Sequence, residues 1–120
     1  MKLTPLQEKW LQALESGKYP QGVGRLCDCY GLFCCLGVAC EIAGGPKTKR
    51  GERFYYEGED VWLPQSVMHL FGFRGASGRL KKYWGDIASL AKANDEGKTF
   101  AEIAAYVREH PEDVFVETNE

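Results

Sequence analysis

Apolar residues recur at helical spacing in several stretches of the chain. Leu6, Trp10, Ala13 and Leu14 share one face. Thr4 precedes them as an N-cap, Pro5 takes the first helical position and Gln7 completes a capping box, so a helix is predicted over about 5–16, ending at Gly17. In GLFCCLGVACEIAGG, residues 31–45, the apolar set is wider. At 100° per residue, Leu36, Ala39, Cys40 and Ala43 cluster on one side, and Cys35, Val38 and Ile42 fill the next arc. Only Gly37 and Glu41 remain, so the segment from Cys34 to Ala43 reads as a buried central helix with Gly44 at its C-cap. Three further helices are predicted: LPQSVMHLFG at 63–72, DIASLAKA at 86–93 with Asp86 as N-cap, and one opened by the Thr99–Glu102 capping box with Phe100, Ile103, Ala104 and Val107 on its apolar face. Asn94-Asp95-Glu96-Gly97 then turns a C-terminal helical hairpin.

Extended segments are shorter. Residues 18–34, KYPQGVGRLCDCYGLFC, carry three glycines and a proline and read as an irregular loop leading into a short hairpin near Leu26–Phe33. RFYYE and DVWL form a second extended pair through Gly58. The fold class is therefore α+β: one small domain over 1–110, mainly helices with a small antiparallel sheet, followed by an acidic tail at 111–120.

Composition changes this picture little. With 120 residues, 44% hydrophobic and 27% charged, the chain suits one globular domain. Its first residues, MKLTPLQEKW, lack the apolar run of a signal peptide, and no stretch reaches the ~20 apolar residues of a membrane span, so a cytoplasmic protein is expected. Net charge is −2, which argues against long nucleic acid as a partner. The charge is uneven: KTKRGER at 47–53 and RGASGRLKK at 74–82 are basic, read as solvated loops or a local phosphate site, while EHPEDVFVETNE at 109–120 is acidic.

Five cysteines lie at 27, 29, 34, 35 and 40. The helical wheel makes Cys34, Cys35 and Cys40 compact core residues. A zinc site is an alternative, but no CxxC pair is present and Cys35 and Cys40 stand about 140° apart on the wheel. A thiolate at the helix N-terminus is another; its base has to be His69 or His110. Neither alternative is preferred, so no catalytic residue, metal or cofactor is expected. Gly22, Gly24 and Gly31 lead to the central helix, whose free amides suit an anion, with Arg25 and Lys18 close in sequence. Gly37 leaves room for a ligand or another backbone. Of Tyr55 and Tyr56 one should be exposed, beside Arg50 and Arg53.

WLQALESGKYPQGVGRLC, GLFCCLGVACEIAG, LPQSVMHLFG and ASLAKANDEGKTFAEIAAYV, in this order over most of residues 10–107, resemble a family of small bacteriophage and prophage proteins with the pattern SGxYxQGxGxL, FCCLGVxC and NDxGxxFxEIA. Cys27, Cys29 and His69 lie outside that pattern. By analogy of setting and size, the resemblance implies a non-enzymatic counter-defence protein in the cytoplasm of an infected bacterium. It would bind and sequester a nucleotide second messenger of a Thoeris- or CBASS-type immune system. The candidate ligand residues are Tyr19, Tyr30 and Trp62 for base stacking, Arg25 and Arg79 for phosphates, Asn94 and Asp95 for ribose or base edges, and Gln21 as a further contact. Tight sequestration needs a deeply buried ligand, so a homo-oligomer with sites between subunits is expected. The alternative is a protein-binding inhibitor of a host factor that uses the acidic tail or the basic loop as its contact surface.

Overall fold

The computed structural model describes residues 1–117, an α+β domain of six helices and two small antiparallel sheets. Helix α1 (Pro5–Glu15) starts where the capping box predicts: the Thr4 hydroxyl accepts from the Gln7 amide at 3.1 Å, and the Gln7 side chain accepts from the Thr4 amide at 2.9 Å. Helix α2 (Cys35–Ile42) lies in the centre, with Cys35, Leu36, Val38, Ala39 and Cys40 all withdrawn from solvent. Trp10 of α1 donates its indole N–H to the Cys35 carbonyl at 2.9 Å, which joins the two helices. Gly37 faces the backbone of Leu26, and a Cβ there would lie 1.7 Å from the Leu26 carbonyl oxygen. The position expected to admit a ligand or a backbone admits a backbone.

The basic stretch is a strand and not a loop. β1 (Lys47–Arg50) pairs antiparallel with β2 (Arg53–Tyr56), Lys47 opposite Tyr56 and Arg50 opposite Arg53, around Gly51 in the left-handed region at φ 61°. The expected RFYYE–DVWL pair shrinks to one bridge, Tyr56 with Glu59. Glu57 and Gly58 both take positive φ, so the chain turns sharply there, and the Asp60 carbonyl instead accepts from the Leu26 amide. The expected hairpin near Leu26–Phe33 is likewise reduced to a bridge between Cys27 and Phe33. Its turn is held by the Asp28 carboxylate, which accepts from the Tyr30 and Leu32 amides.

Helix α3 (Gln65–Phe71) ends at Gly72, in the left-handed region at φ 84°. β3 (Arg79–Trp84) and β4 (Ile87–Ser89) form the second sheet. DIASLAKA therefore splits: Asp86 belongs to the turn with Gly85, Ile87 pairs opposite Trp84, and the helix begins later. Helix α4 (Leu90–Asp95) takes Ser89 as its N-cap, whose hydroxyl accepts from the Lys92 amide at 3.1 Å. Asn94 and Asp95 consequently sit in the last turn of α4 and not in a loop. Helix α5 (Phe100–Glu109) opens on the predicted Thr99–Glu102 box and packs on α1. Arg108 of α5 clamps two carboxylates of α1, reaching Glu8 at 2.6 Å and Glu15 at 2.8 Å.

The first part of the expected tail is folded. Helix α6 (Pro111–Val114) buries Val114, and Phe115 joins Trp10, Phe71 and Phe73 in an aromatic cluster, with ring centroids 6.2 Å from Trp10 and 5.3 Å from Phe73. The Val116 amide donates to the Gly72 carbonyl at 2.8 Å. Residues 118–120 of that segment lie outside the described residues. Among the described residues no helix is long and apolar enough to cross a membrane.

Candidate functional site

Beside the N-terminal end of α2 a cleft of about 360 Å³ opens between Gly24, residues 61–62 and α4. Trp62, Cys34, Gly24, Lys92, Asp95 and Glu96 contribute to its walls. Trp62 is 49% exposed and so keeps much of its surface open to a ligand. Asp95 accepts from the Gly24 amide at 2.9 Å, which fixes the loop against α4. Lys92 and Glu96, one turn apart, pair at 3.5 Å. Just outside, Arg25 meets Asp60 at 2.7 Å and Arg53 meets the same oxygen at 3.4 Å, so two guanidinium groups share one carboxylate two residues from Trp62. A larger opening, about 510 Å³, lies near β3 and α6. There the Tyr106 ring is already covered by Trp84, stacked at 4.2 Å and 9°, which leaves it less suited to a base.

Behind the cleft is a saturated polar junction. Asn94 is fully buried; its amide nitrogen donates to the Gly22 carbonyl at 2.8 Å. Its oxygen accepts from Gln21 at 2.9 Å and from the Cys35 amide at 3.2 Å. Gln21 also donates to the Lys98 carbonyl and accepts from the Phe100 amide. The Cys35 amide, the first of α2, is thus capped from another helix. The Cys34 amide is bonded to the Arg25 carbonyl at 3.2 Å. The Cys34 and Cys35 amides are thus engaged internally, which leaves fewer donors at this terminus than the glycine-rich approach suggested.

The thiols are equally committed to the interior. Burial pushes Cys34 up to about 11, raises Cys27, and holds Cys35 and Cys40 far above the usual thiol range. All four remain protonated at neutral pH, so none is poised as a nucleophile. Among the described residues the one His/Cys/Asp/Glu group with ligand atoms within 4.8 Å of one another is His110, Glu112 and Asp113, which contains no cysteine.

Residues 1–111 match the model of a family described as a domain of unknown function, DUF8296. The chain belongs to that family. No curated protein and no solved structure matches the chain.

In this DUF8296 domain, Trp62 and Asp95 are the sequence-named candidates that line the cleft, and Arg25 adjoins it through Gly24. Gln21 and Asn94 form its internal support and offer no free edge. Tyr19 is partly buried, edge-on to Phe33 at 5.5 Å. Tyr30, 84% exposed, lines no part of the cleft, and Arg79 lines a different groove. Sequence reading missed Lys92 and Glu96, and it set Arg53 beside an exposed tyrosine and not beside Asp60. Starting the helix at Ser89 would have placed Lys92 and Glu96 on one face with i,i+4 spacing; nothing local links Arg53 to Asp60.

Proposed function

We propose that this DUF8296 domain binds a nucleotide-derived ligand in the cleft and holds it without cleaving it. The observation that carries this reading is the half-exposed Trp62 indole in a cleft that it shares with Asp95 and Glu96, two residues along the chain from the Asp60 carboxylate that Arg25 and Arg53 share. A base stacked on the indole gains about 1–3 kcal/mol. Carboxylates are the groups that accept from ribose hydroxyls. Arg25 and Arg53 together carry one positive charge more than Asp60 neutralises, which suits the phosphate end. The protonated Cys34 thiol at the wall supports binding over attack on the ligand. With the bacteriophage resemblance, the reading becomes sequestration of an immune second messenger of the Thoeris or CBASS type. A one-sided cleft of this size leaves part of such a ligand exposed, so a second copy of the chain would complete the enclosure.

Incubating the purified protein with a panel of cyclic and linear nucleotides, followed by filtration and heat release, tests the proposal. An intact nucleotide should return from the protein fraction, and Trp62→Ala should weaken its retention about 5- to 150-fold with the melting temperature little changed. Failure to retain any nucleotide sinks the reading, and recovery of a cleaved product makes the protein an enzyme. A second reading, a protein-binding inhibitor, draws on the exposed β1 residues Lys47, Lys49 and Arg50. Its tail version is weakened because Val114 and Phe115 are buried. Capture of one host protein that Lys49→Glu and Arg50→Glu abolish would favour it.

A further inference from the structure

A third opening, of about 350 Å³, is lined by Arg74, Arg79, Leu80, Lys81 and Val116 and shares Lys81 with the opening near β3 and α6. It shares no residue with the Trp62 cleft. Three of its five walls are cationic and none is acidic. Among the described residues, Arg74, Arg79 and Lys81 enter no ion pair, although Arg25, Lys47, Arg53, Lys92 and Arg108 each do. Like charges gathered without a counter-charge repel one another, and a bound anion removes that repulsion.

The three cations arrive by different routes. Arg79 and Lys81 flank buried Leu80 on β3, and both are exposed. Arg74 is held in place: its Nη2 donates to the Glu112 carbonyl at 2.7 Å and to the Phe115 carbonyl at 3.2 Å. Both Nη2 protons are thereby used, and the fork is oriented before any ligand arrives. Its Nε is buried with no hydrogen-bond partner, an uncommon state for a guanidinium.

We infer that this groove is a binding site for a tetrahedral oxyanion of the phosphate class, separate from the Trp62 cleft and independent of the function proposed for it. Arg74 supplies a pre-oriented guanidinium, and Arg79 and Lys81 close on the anion from the strand. The same chemistry fits free phosphate or the phosphoryl group of a larger molecule. A site with room for substituents takes both; one closed to them takes inorganic phosphate alone.

The test is a titration of the full chain with sodium phosphate, and separately with glycerol 2-phosphate, followed by amide NMR at constant low ionic strength. Saturable shifts should centre on Leu80, Lys81 and Val116. Arg79→Gln and Lys81→Gln should each weaken binding about tenfold, while Lys49→Gln and Arg50→Gln on the other hairpin leave it unchanged. Saturation by both ligands assigns the site to phosphoryl groups in general; saturation by phosphate alone assigns it to the free ion. Arg74 is left intact because its carbonyl bonds hold α6. Shifts that grow linearly without saturating, or that weaken equally in the Lys49 and Arg50 variants, overturn the proposal in favour of diffuse screening.

Discussion

Asn94 and Asp95 are adjacent on α4, yet the regions they serve differ in kind. Around Asn94 every polar group has found a partner inside the protein, from Gln21, Gly22 and Cys35. Around Asp95, and still more in the Arg74–Arg79–Lys81 groove, charges face solvent or meet a shared partner. A saturated junction does structural work only; an unsaturated rim is where a ligand gains something. The glycines and cysteines at the start of α2 belong to the first kind.

Three perturbations separate the two kinds of region. Gly37→Ala forces a Cβ to within 1.7 Å of the Leu26 oxygen, a backbone atom that has no flexible end to swing away. Overpacking of that degree costs about 3 kcal/mol or more, so the variant should melt far lower or fail to fold, as circular dichroism reports. A melting curve like that of the parent protein would mean the α2–Leu26 contact is looser than described. Asn94→Ala should follow, at about 2–3 kcal/mol, because it leaves the Gly22 carbonyl and the Cys35 amide buried and unpaired. Gln21→Ala should be non-additive with it in a urea-denaturation cycle; strict additivity would show that the junction is not one network.

The smallest effect belongs to the exposed clamp of Arg108. Its hydrogen bonds and charge hold the Glu8 and Glu15 carboxyls below their ordinary value of 4.5. A depressed folded-state pKa gives stability that is present above that value and lost as pH falls through the folded one. Unfolding followed between pH 6 and 3 should therefore show a slight acid slope that Arg108→Gln flattens. Since both carboxylates are substantially exposed, high salt should flatten it as well.

Helices α1, α2 and α5 were legible because each carries its own start signal or apolar pattern: the Thr4 and Thr99 boxes, and the near-continuous apolar surface of 35–42. β1 was not, since Lys-Thr-Lys-Arg shows no apolar alternation and becomes a strand only through its partner β2 and the Gly51 turn. β4 was read as helix because Ile87 and Leu90 fit helical spacing equally well; its pairing with β3 decided the matter. The cleft was half legible. Trp62 and Asp95 announce themselves as an aromatic and an acid near glycines, but the burial of Asn94 depends on residues far away at 21, 22 and 35. No local pattern carries that information.

The contact between Phe115 and Trp10 has a consequence for how the chain is made. Most of the sequence separates the two rings, so the aromatic cluster stays open on the ribosome until residue 115 has emerged. At about 5–20 residues per second, Trp10 waits on the order of ten seconds after its own synthesis. During that interval α1 has a tryptophan with an unfilled neighbour, and a chaperone or a second nascent chain can reach it first.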